Sequence, residues 1–180
     1  YGITGQEFVL LIQESAARLA LLPGFDGLYV GEQSELGGKC VYEMALDSLD
    51  FKEVGEGTSS GSDVNVEGVI HWEYVGGTEW ADWIGKTALE LVKGTVQENG
   101  SLQLDGDSTE GTPGLIACCK YKLELCEDGS AIRGIFRQDG VPDACDDDFI
   151  LRKLSKADAS EWRSKHLQTG GGGGAAAAGG

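Results

Sequence analysis

The side chains best suited to catalysis are sparse in this chain and match no catalytic pattern. His71 and His166 are the only histidines, and no nucleophile-elbow pattern surrounds any serine. A Ser–His or Cys–His mechanism needs a base placed beside its nucleophile. The sequence therefore predicts no catalytic residue and no enzymatic activity, and His71 is expected to be an ordinary strand residue.

The five cysteines form an odd set, so at least one thiol is expected to be free or paired between chains. They are Cys40, Cys118, Cys119, Cys126 and Cys145. Their spacing matches neither a disulfide framework nor a zinc-ligand pattern, and their redox state stays open. Adjacent residues of a strand point to opposite faces, so the 118–119 pair is not expected to bind one metal ion. Most of these cysteines are expected to behave as small buried hydrophobic residues.

Acidic and glycine-rich stretches supply the remaining candidates for metal or cofactor binding. Asp143 and the run 146–148 offer carboxylates to a weak cation, but calcium-loop spacing is missing, which favours a solvated loop. The glycines at 55, 57 and 61 do not have dinucleotide-binding spacing, and no helix follows them. The sequence thus predicts no metal and no cofactor.

The charge balance excludes several partners. Fourteen basic and thirty acidic residues give a net charge of −16. Nucleic acid and anionic lipid are disfavoured, because both require a positive field. The charge is explained by solubility and self-repulsion, with docking onto a basic partner surface as the alternative. No stretch approaches the ~20 apolar residues of a membrane span, so no transmembrane segment is expected.

Residues 1–24 predict an N-terminal helix. Thr4 and Glu7 form a capping box, and Pro23-Gly24 ends the apolar run that follows. The helix is expected to plug one end of the domain or to dock on a partner. Its interface candidates are Phe8, Leu11 and Ile12.

Residues 25–154 change to the two-residue alternation of β-strands. Turn signals such as Asn99-Gly100 separate about eight strands, and no helices are interleaved between them. A mainly β fold is predicted, an antiparallel up-and-down β-barrel, with a β-sandwich as the alternative. A break in alternation near Asp47-Ser48 predicts a β-bulge. The expected barrel-interior residues are Tyr29, Tyr42, Met44, Trp72 and Tyr74.

Two further segments complete the expected domain organisation. Trp80 and Trp83 lie three residues apart in an insertion, where they either cap the barrel mouth or form an exposed interface anchor. Residues 155–169 predict a C-terminal helix that carries Trp162 as another interface candidate. Residues 170–180 contain only Gly and Ala and are interpreted either as an encoded flexible linker or as a placeholder for unidentified sequence.

The first and last strands carry a weak family signature. Gly27 and Tyr29 open the first strand, and Arg152 lies on the last. With eight meander strands between them, these residues resemble the lipocalin/calycin group, in which a Gly-x-Trp packs against an Arg from the far end of the barrel. Tyr replaces Trp here, and the family's second motif is not matched. The resemblance implies a barrel fold more than an activity.

Two functions are expected from these features. The first is a non-enzymatic accessory or scaffold subunit of a large multi-protein assembly, with an organellar or photosynthetic membrane complex as the suggested setting. Its protein partners would present basic or apolar docking surfaces. The alternative is a lipocalin-like carrier of a small apolar ligand such as a lipid or pigment, although bulky inward residues favour a filled barrel. Because the chain begins with Tyr1 instead of Met, we expect a removed targeting segment and an intracellular or organellar location.

Overall fold

The computed structural model describes four stretches of the chain, residues 25–35, 38–53, 64–138 and 147–167. Several sequence predictions lie outside these stretches. They are the helix over residues 1–24 with Phe8, Leu11 and Ile12, the thiol of Cys145, and the tail at 170–180.

The described chain is an antiparallel β-barrel closed by pairing of its first and last strands. The strands are β1 Leu28–Glu35, β2 Cys40–Glu53, β3 Val64–Gly77, β4 Thr87–Val96, β5 Leu102–Gly111, β6 Cys119–Leu125, β7 Ala131–Gln138 and β8 Asp147–Lys153. Each strand pairs with the next along the chain, as the turn signals require. The predicted up-and-down barrel is confirmed, and the alternative β-sandwich is not formed.

The barrel interior is filled by alternate residues of the strands, because successive side chains of a strand point to opposite faces. All five residues expected in the interior are buried in the main core cluster. The Tyr42 ring meets Trp72 and Tyr74 edge-on, with ring centroids 6.0 and 5.2 Å apart. These aromatic contacts pack the side of the barrel formed by β2 and β3.

Three register shifts interrupt the described strand ladders. Two lie in the β2–β3 pair, one between Val41 and Tyr42 and one between Asp47 and Asp50, and the latter confirms the predicted bulge. The third falls in the β4–β5 pair, where Leu91 faces Ser108 and Val92 faces Gly106, and the sequence did not predict it. Beyond this shift β5 no longer pairs with β6, since their ladder covers only residues 102–105 of β5. The barrel wall therefore separates at one end between these two strands.

A C-terminal helix, α1 (Lys156–Leu167), packs on the outer face of the barrel. The Ser155 hydroxyl accepts a hydrogen bond from the Asp158 N–H at 3.2 Å, which caps the first turn. Ala159 and Trp162 then pack in one cluster with outer-face residues of β1 and β2. Among the residues that the structure describes, the helices are too short or too polar to span a bilayer.

The closing strand corrects the role expected of Arg152. Arg152 is exposed and pairs with Val30, whereas Lys153 is in register with Tyr29. The Lys153 Nζ lies 5.6 Å from the centroid of the Tyr29 ring and 2.9 Å from Asp26 Oδ1. The expectation that Arg152 packs against Tyr29 is wrong, because alternation along β8 turns it to the opposite face.

Candidate functional site

A pocket opens at the end of the barrel where β5 and β6 separate. Its volume is about 280 Å³, and its walls come from the strand ends and from residues 114–117, which connect β5 to β6. The lining side chains are mainly aromatic and aliphatic, but polar atoms form as much of the pocket surface as apolar atoms do. The lining consists of Tyr42, Trp72, Trp80, Phe136, Leu115, Ile116, Ala117 and Gly114, with Glu35 and Cys119 as its polar or polarizable members. We call this cavity the mouth pocket.

A fully buried carboxylate, Glu90, lies against the walls of the mouth pocket. It is 0% exposed and accepts hydrogen bonds from Trp72 Nε1 at 3.3 Å, from the Cys119 backbone N–H at 2.8 Å and from the Tyr121 hydroxyl. Its donors belong to β3 and β6, whereas Glu90 itself is on β4. One side chain thus ties three strands together beside the pocket, and all its acceptor contacts are charge-assisted when it is ionised.

The missing side chain of Gly106 lets Glu90 reach β6. A Cβ at position 106 would lie 2.2 Å from Glu90 Oε1 and 2.9 Å from the Cys119 nitrogen, closer than such atoms can approach. The carboxylate therefore fills the gap where the β5–β6 ladder has ended. One carboxylate oxygen accepts the hydrogen bond of the Cys119 backbone N–H, which lies beyond the β5–β6 ladder.

Burial sets the protonation of this network. It raises the pKa of Glu90, opposed by the hydrogen bonds from Tyr121, Cys119 and Trp72. Burial also raises the pKa of the Cys119 thiol to about 12, with a further contribution from the Glu90 charge. The thiol accordingly stays protonated and lies 3.2 Å from the Ala117 carbonyl oxygen, which it can donate to. A protonated thiol is a poor nucleophile, so this cysteine is not activated for catalysis.

The two tryptophans of the insertion take different positions at the rim of the mouth pocket. Trp83 ends a single 3₁₀ turn, Ala81–Trp83, and packs on the main core. Trp80 precedes that turn with a left-handed φ of 48°, is 49% exposed and lines the pocket. The two ring centroids are 5.5 Å apart, so Trp83 supports Trp80 at the rim.

Trp162 does not face solvent as a separate anchor but lines a second cavity, a groove of about 370 Å³ between α1 and the barrel. Its Nε1 donates to Glu43 Oε1 at 3.1 Å, and its ring stacks on His166 with centroids 4.2 Å apart. His71 meets the Trp162 ring edge-on at 5.4 Å, and burial lowers the pKa of His71. The helix therefore covers His71, a residue on the outer face of β3.

Sequence reasoning missed Glu90, although the pattern contained its signal. Ala88, Glu90 and Val92 alternate on the buried face of β4, and a carboxylate at an inward position requires hydrogen-bond donors. The expectation for the cysteines also needs correction. Cys40 is buried, but Cys118, Cys119 and Cys126 are half-buried, and all four are free.

The comparisons with known proteins give no functional information for this chain. Neither protein-family models, nor curated proteins, nor solved structures yield a match. The mouth pocket and the groove beneath α1 are therefore the features of the described chain that bear on its function.

Proposed function

We propose that this chain is a non-catalytic binding protein that holds a small ligand with an apolar, ring-containing part in its mouth pocket, in the manner of a lipocalin-like carrier. The observation that carries the proposal is the cavity of about 280 Å³ with aromatic residues in its wall. This volume is close to the lower limit, about 300 Å³, of typical small-molecule sites. Its aromatic and aliphatic side chains are typical of such sites, and its polar atoms make the pocket suited to a ligand that also carries polar groups.

The lining indicates the chemical class of the ligand. Tyr42, Trp72 and Phe136 are core residues whose rings reach the pocket from three strands, and Trp80 adds a fourth ring at the rim. Aromatic walls favour flat, polarizable molecules, which gain from ring stacking and edge contacts. The net charge of −16 disfavours anions. A neutral or cationic ligand with an aromatic or conjugated group fits both features.

The pocket is organised before a ligand arrives. Glu90 fixes Trp72 through its Nε1 and Cys119 through its backbone N–H, so two wall residues are held by one buried group. The Tyr74 hydroxyl donates to the Glu79 carbonyl, which restrains the segment that carries Trp80. Walls that are fixed in advance reduce the ordering entropy lost on binding.

A fluorescence titration with the neutral probe N-phenyl-1-naphthylamine tests the proposal. Ala117 is exposed and lines the pocket, so Ala117→Phe fills the cavity without disturbing the core. Ala157→Phe, on the exposed face of α1, adds the same ring away from the mouth and is the matched control. We expect saturable binding of one probe molecule by the unmodified chain and by Ala157→Phe. Ala117→Phe should bind at least about tenfold more weakly, about 1.4 kcal/mol.

Equal probe affinity in Ala117→Phe and Ala157→Phe would contradict the proposal, since the mouth pocket would then not be the binding site. Native mass spectrometry of the full chain purified from its source provides a second measurement. A retained small molecule that Ala117→Phe no longer carries would identify the natural ligand.

A second candidate function, an accessory subunit docked in a larger assembly, is favoured by the surface beside the mouth. Ile84 is 59% exposed and follows the 3₁₀ turn that holds the rim tryptophans. Exposed apolar and aromatic residues close together are typical of protein interfaces. If this surface docks on a partner, Ile84→Glu abolishes co-migration with a large complex in native extracts but leaves probe binding intact. Ile150→Glu, at an exposed position on β8, is the control and should still co-migrate.

A further inference from the structure

Three potential metal ligands meet beneath α1, on the outer face of the barrel. Glu43 of β2, Glu73 of β3 and His166 of α1 each offer one ligand atom, and these atoms all lie within 4.8 Å of one another. His166 Nε2 is 3.5 Å from Glu73 Oε2 and 4.0 Å from Glu43 Oε1. The cluster is half-buried and lines the groove between α1 and the barrel.

The imidazole of His166 is oriented as in metal-binding histidines. Its Nδ1 lies 2.8 Å from the Trp162 carbonyl oxygen, which can only accept a hydrogen bond, so Nδ1 carries the proton. Nε2 is thereby turned toward the two carboxylates. A metal-binding histidine typically donates its second ring N–H to a backbone carbonyl, which fixes the tautomer and the ring orientation. The stacked Trp162 ring, inclined by 20°, further restricts the imidazole.

The two carboxylates create a need for positive charge. Glu43 and Glu73 stand directly opposite each other in the β2–β3 ladder, where like charges are destabilising. Within the part of the chain that the structure describes, their ion pairs are with His166 alone. Glu43 is also held by the Trp162 indole N–H, which supports a ligating carboxylate in the way outer-shell donors do.

We propose that Glu43, Glu73 and His166 bind one divalent transition-metal ion of borderline softness, such as Zn²⁺. With Zn–N and Zn–O bonds of about 2.0–2.1 Å, tetrahedral ligand atoms stand roughly 3.3 Å apart, which small side-chain movements reach from 3.5 and 4.0 Å. One imidazole and two carboxylates are ligands that zinc accepts. The three ligands line the groove of about 370 Å³, so water from the groove would complete the coordination.

A Co²⁺ titration of the metal-free full chain, followed by visible absorption, tests the proposal. We expect one equivalent to bind with the d–d bands of an N,O-coordinated ion and without thiolate charge-transfer bands, and Zn²⁺ to displace it. His166→Gln and Glu73→Gln should each weaken binding by at least about tenfold. Glu110→Gln is the matched control, because Glu110 is a carboxylate of the same groove outside the cluster, and it should leave the affinity unchanged.

The proposal fails if Co²⁺ does not bind saturably, or if the absorption shows thiolate ligands. It also fails if His166→Gln binds as tightly as the unmodified chain, since His166 would then only join the helix to the barrel by ion pairs. Thermal unfolding gives an independent readout. Zn²⁺ should raise the Tm of the unmodified chain and of Glu110→Gln but not that of His166→Gln, because an ion that binds only the folded state stabilises it. Ala117→Phe, at the mouth pocket, should keep its metal affinity.

Discussion

The Glu90 carboxylate accepts a hydrogen bond from the Cys119 backbone N–H at 2.8 Å, although their strands β4 and β6 do not pair with each other. The strand between them, β5, has Gly106 at the crossing point, which leaves room for the carboxylate. A side chain thus replaces the backbone ladder at the place where the barrel wall separates. The mouth pocket exists because β5 and β6 diverge there. The hydrogen bonds of Glu90 to residues of β3 and β6 fix the relative positions of the strands around it.

Replacing Glu90 should destabilise the fold strongly. Glu90→Leu deprives three groups of their acceptor, namely Trp72 Nε1, the Cys119 N–H and the Tyr121 hydroxyl. Each unsatisfied buried donor costs about 1–3 kcal/mol, although relaxation makes the sum less than additive. We expect the free energy of unfolding in urea to fall by about 2–4 kcal/mol. Glu161→Gln, on the exposed surface of α1, should change it by less than about 0.5 kcal/mol.

The pH dependence of stability should carry the signature of a buried acid. Because burial raises the pKa of Glu90 in the folded state, its contribution is fully present below the unfolded pKa, about 4.3. That contribution is lost as the pH rises through the raised folded pKa. The free energy of unfolding of the unmodified chain minus that of Glu90→Gln should therefore decrease as the pH rises above about 4.3 and then level off. An increase over this range would show that the hydrogen bonds outweigh burial.

Gly106 should be intolerant of even one added methyl group. Gly106→Ala places a Cβ against Glu90 Oε1 and the Cys119 nitrogen, so the carboxylate or β6 must move. We expect a loss of about 1–3 kcal/mol in the free energy of unfolding, as for other overpacked cores. Weaker binding of the naphthylamine probe should accompany it. Gly76→Ala is the control, because a Cβ there meets nothing within 4 Å. Equal stability of the two variants would contradict the role given to Gly106.

The barrel was predictable because the signals that specify it lie close together in the sequence. Alternation, tight turns such as Asn99-Gly100 and the absence of interleaved helices specify neighbouring antiparallel strands, and the broken alternation near Asp47 locates a bulge. The sequence did not predict the shift opposite Leu91, because residues 101–107 and 115–126 both alternate well enough to suggest a complete ladder.

The site was less predictable because its contacts join residues far apart in sequence. Glu90 lies 31 positions before Tyr121, and Trp162 lies 119 positions after Glu43. Alternation places Glu90 inside the barrel but does not identify the hydrogen-bond donors that contact it. Similarly, alternation places Glu43 and Glu73 on the outer face of the barrel, but it does not indicate that α1 positions His166 beside them.

The Cys119 thiol should resist alkylation in the folded protein. Its pKa of about 12 leaves little of the thiolate that reacts with iodoacetamide near pH 8, whereas an unperturbed cysteine has a pKa of about 8.5. We expect labelling of the Cys119 position, followed by peptide mass spectrometry, to be at least about 100-fold slower than in denaturant. Rapid labelling of the folded chain would show that the thiol is neither buried nor held near Ala117.

The ion pair between Arg163 and Asp47 should contribute measurably to the attachment of α1. The Arg163 guanidinium donates two hydrogen bonds to Asp47, at 2.8 and 2.5 Å, and the Asp47 side chain is only 12% exposed. Since this charge-assisted pair is bidentate, Arg163→Ala should lower the free energy of unfolding by about 1–3 kcal/mol. It should also speed hydrogen exchange of the α1 amides relative to those of β3, because the helix would open without the barrel. Arg152→Ala removes the same charge from an exposed position of β8 and should leave both measurements within about 0.5 kcal/mol of the unmodified chain. If both arginine variants behave alike, then the other contacts of α1, such as the packing of Ala159 and Trp162, hold the helix, and the ion pair contributes nothing measurable.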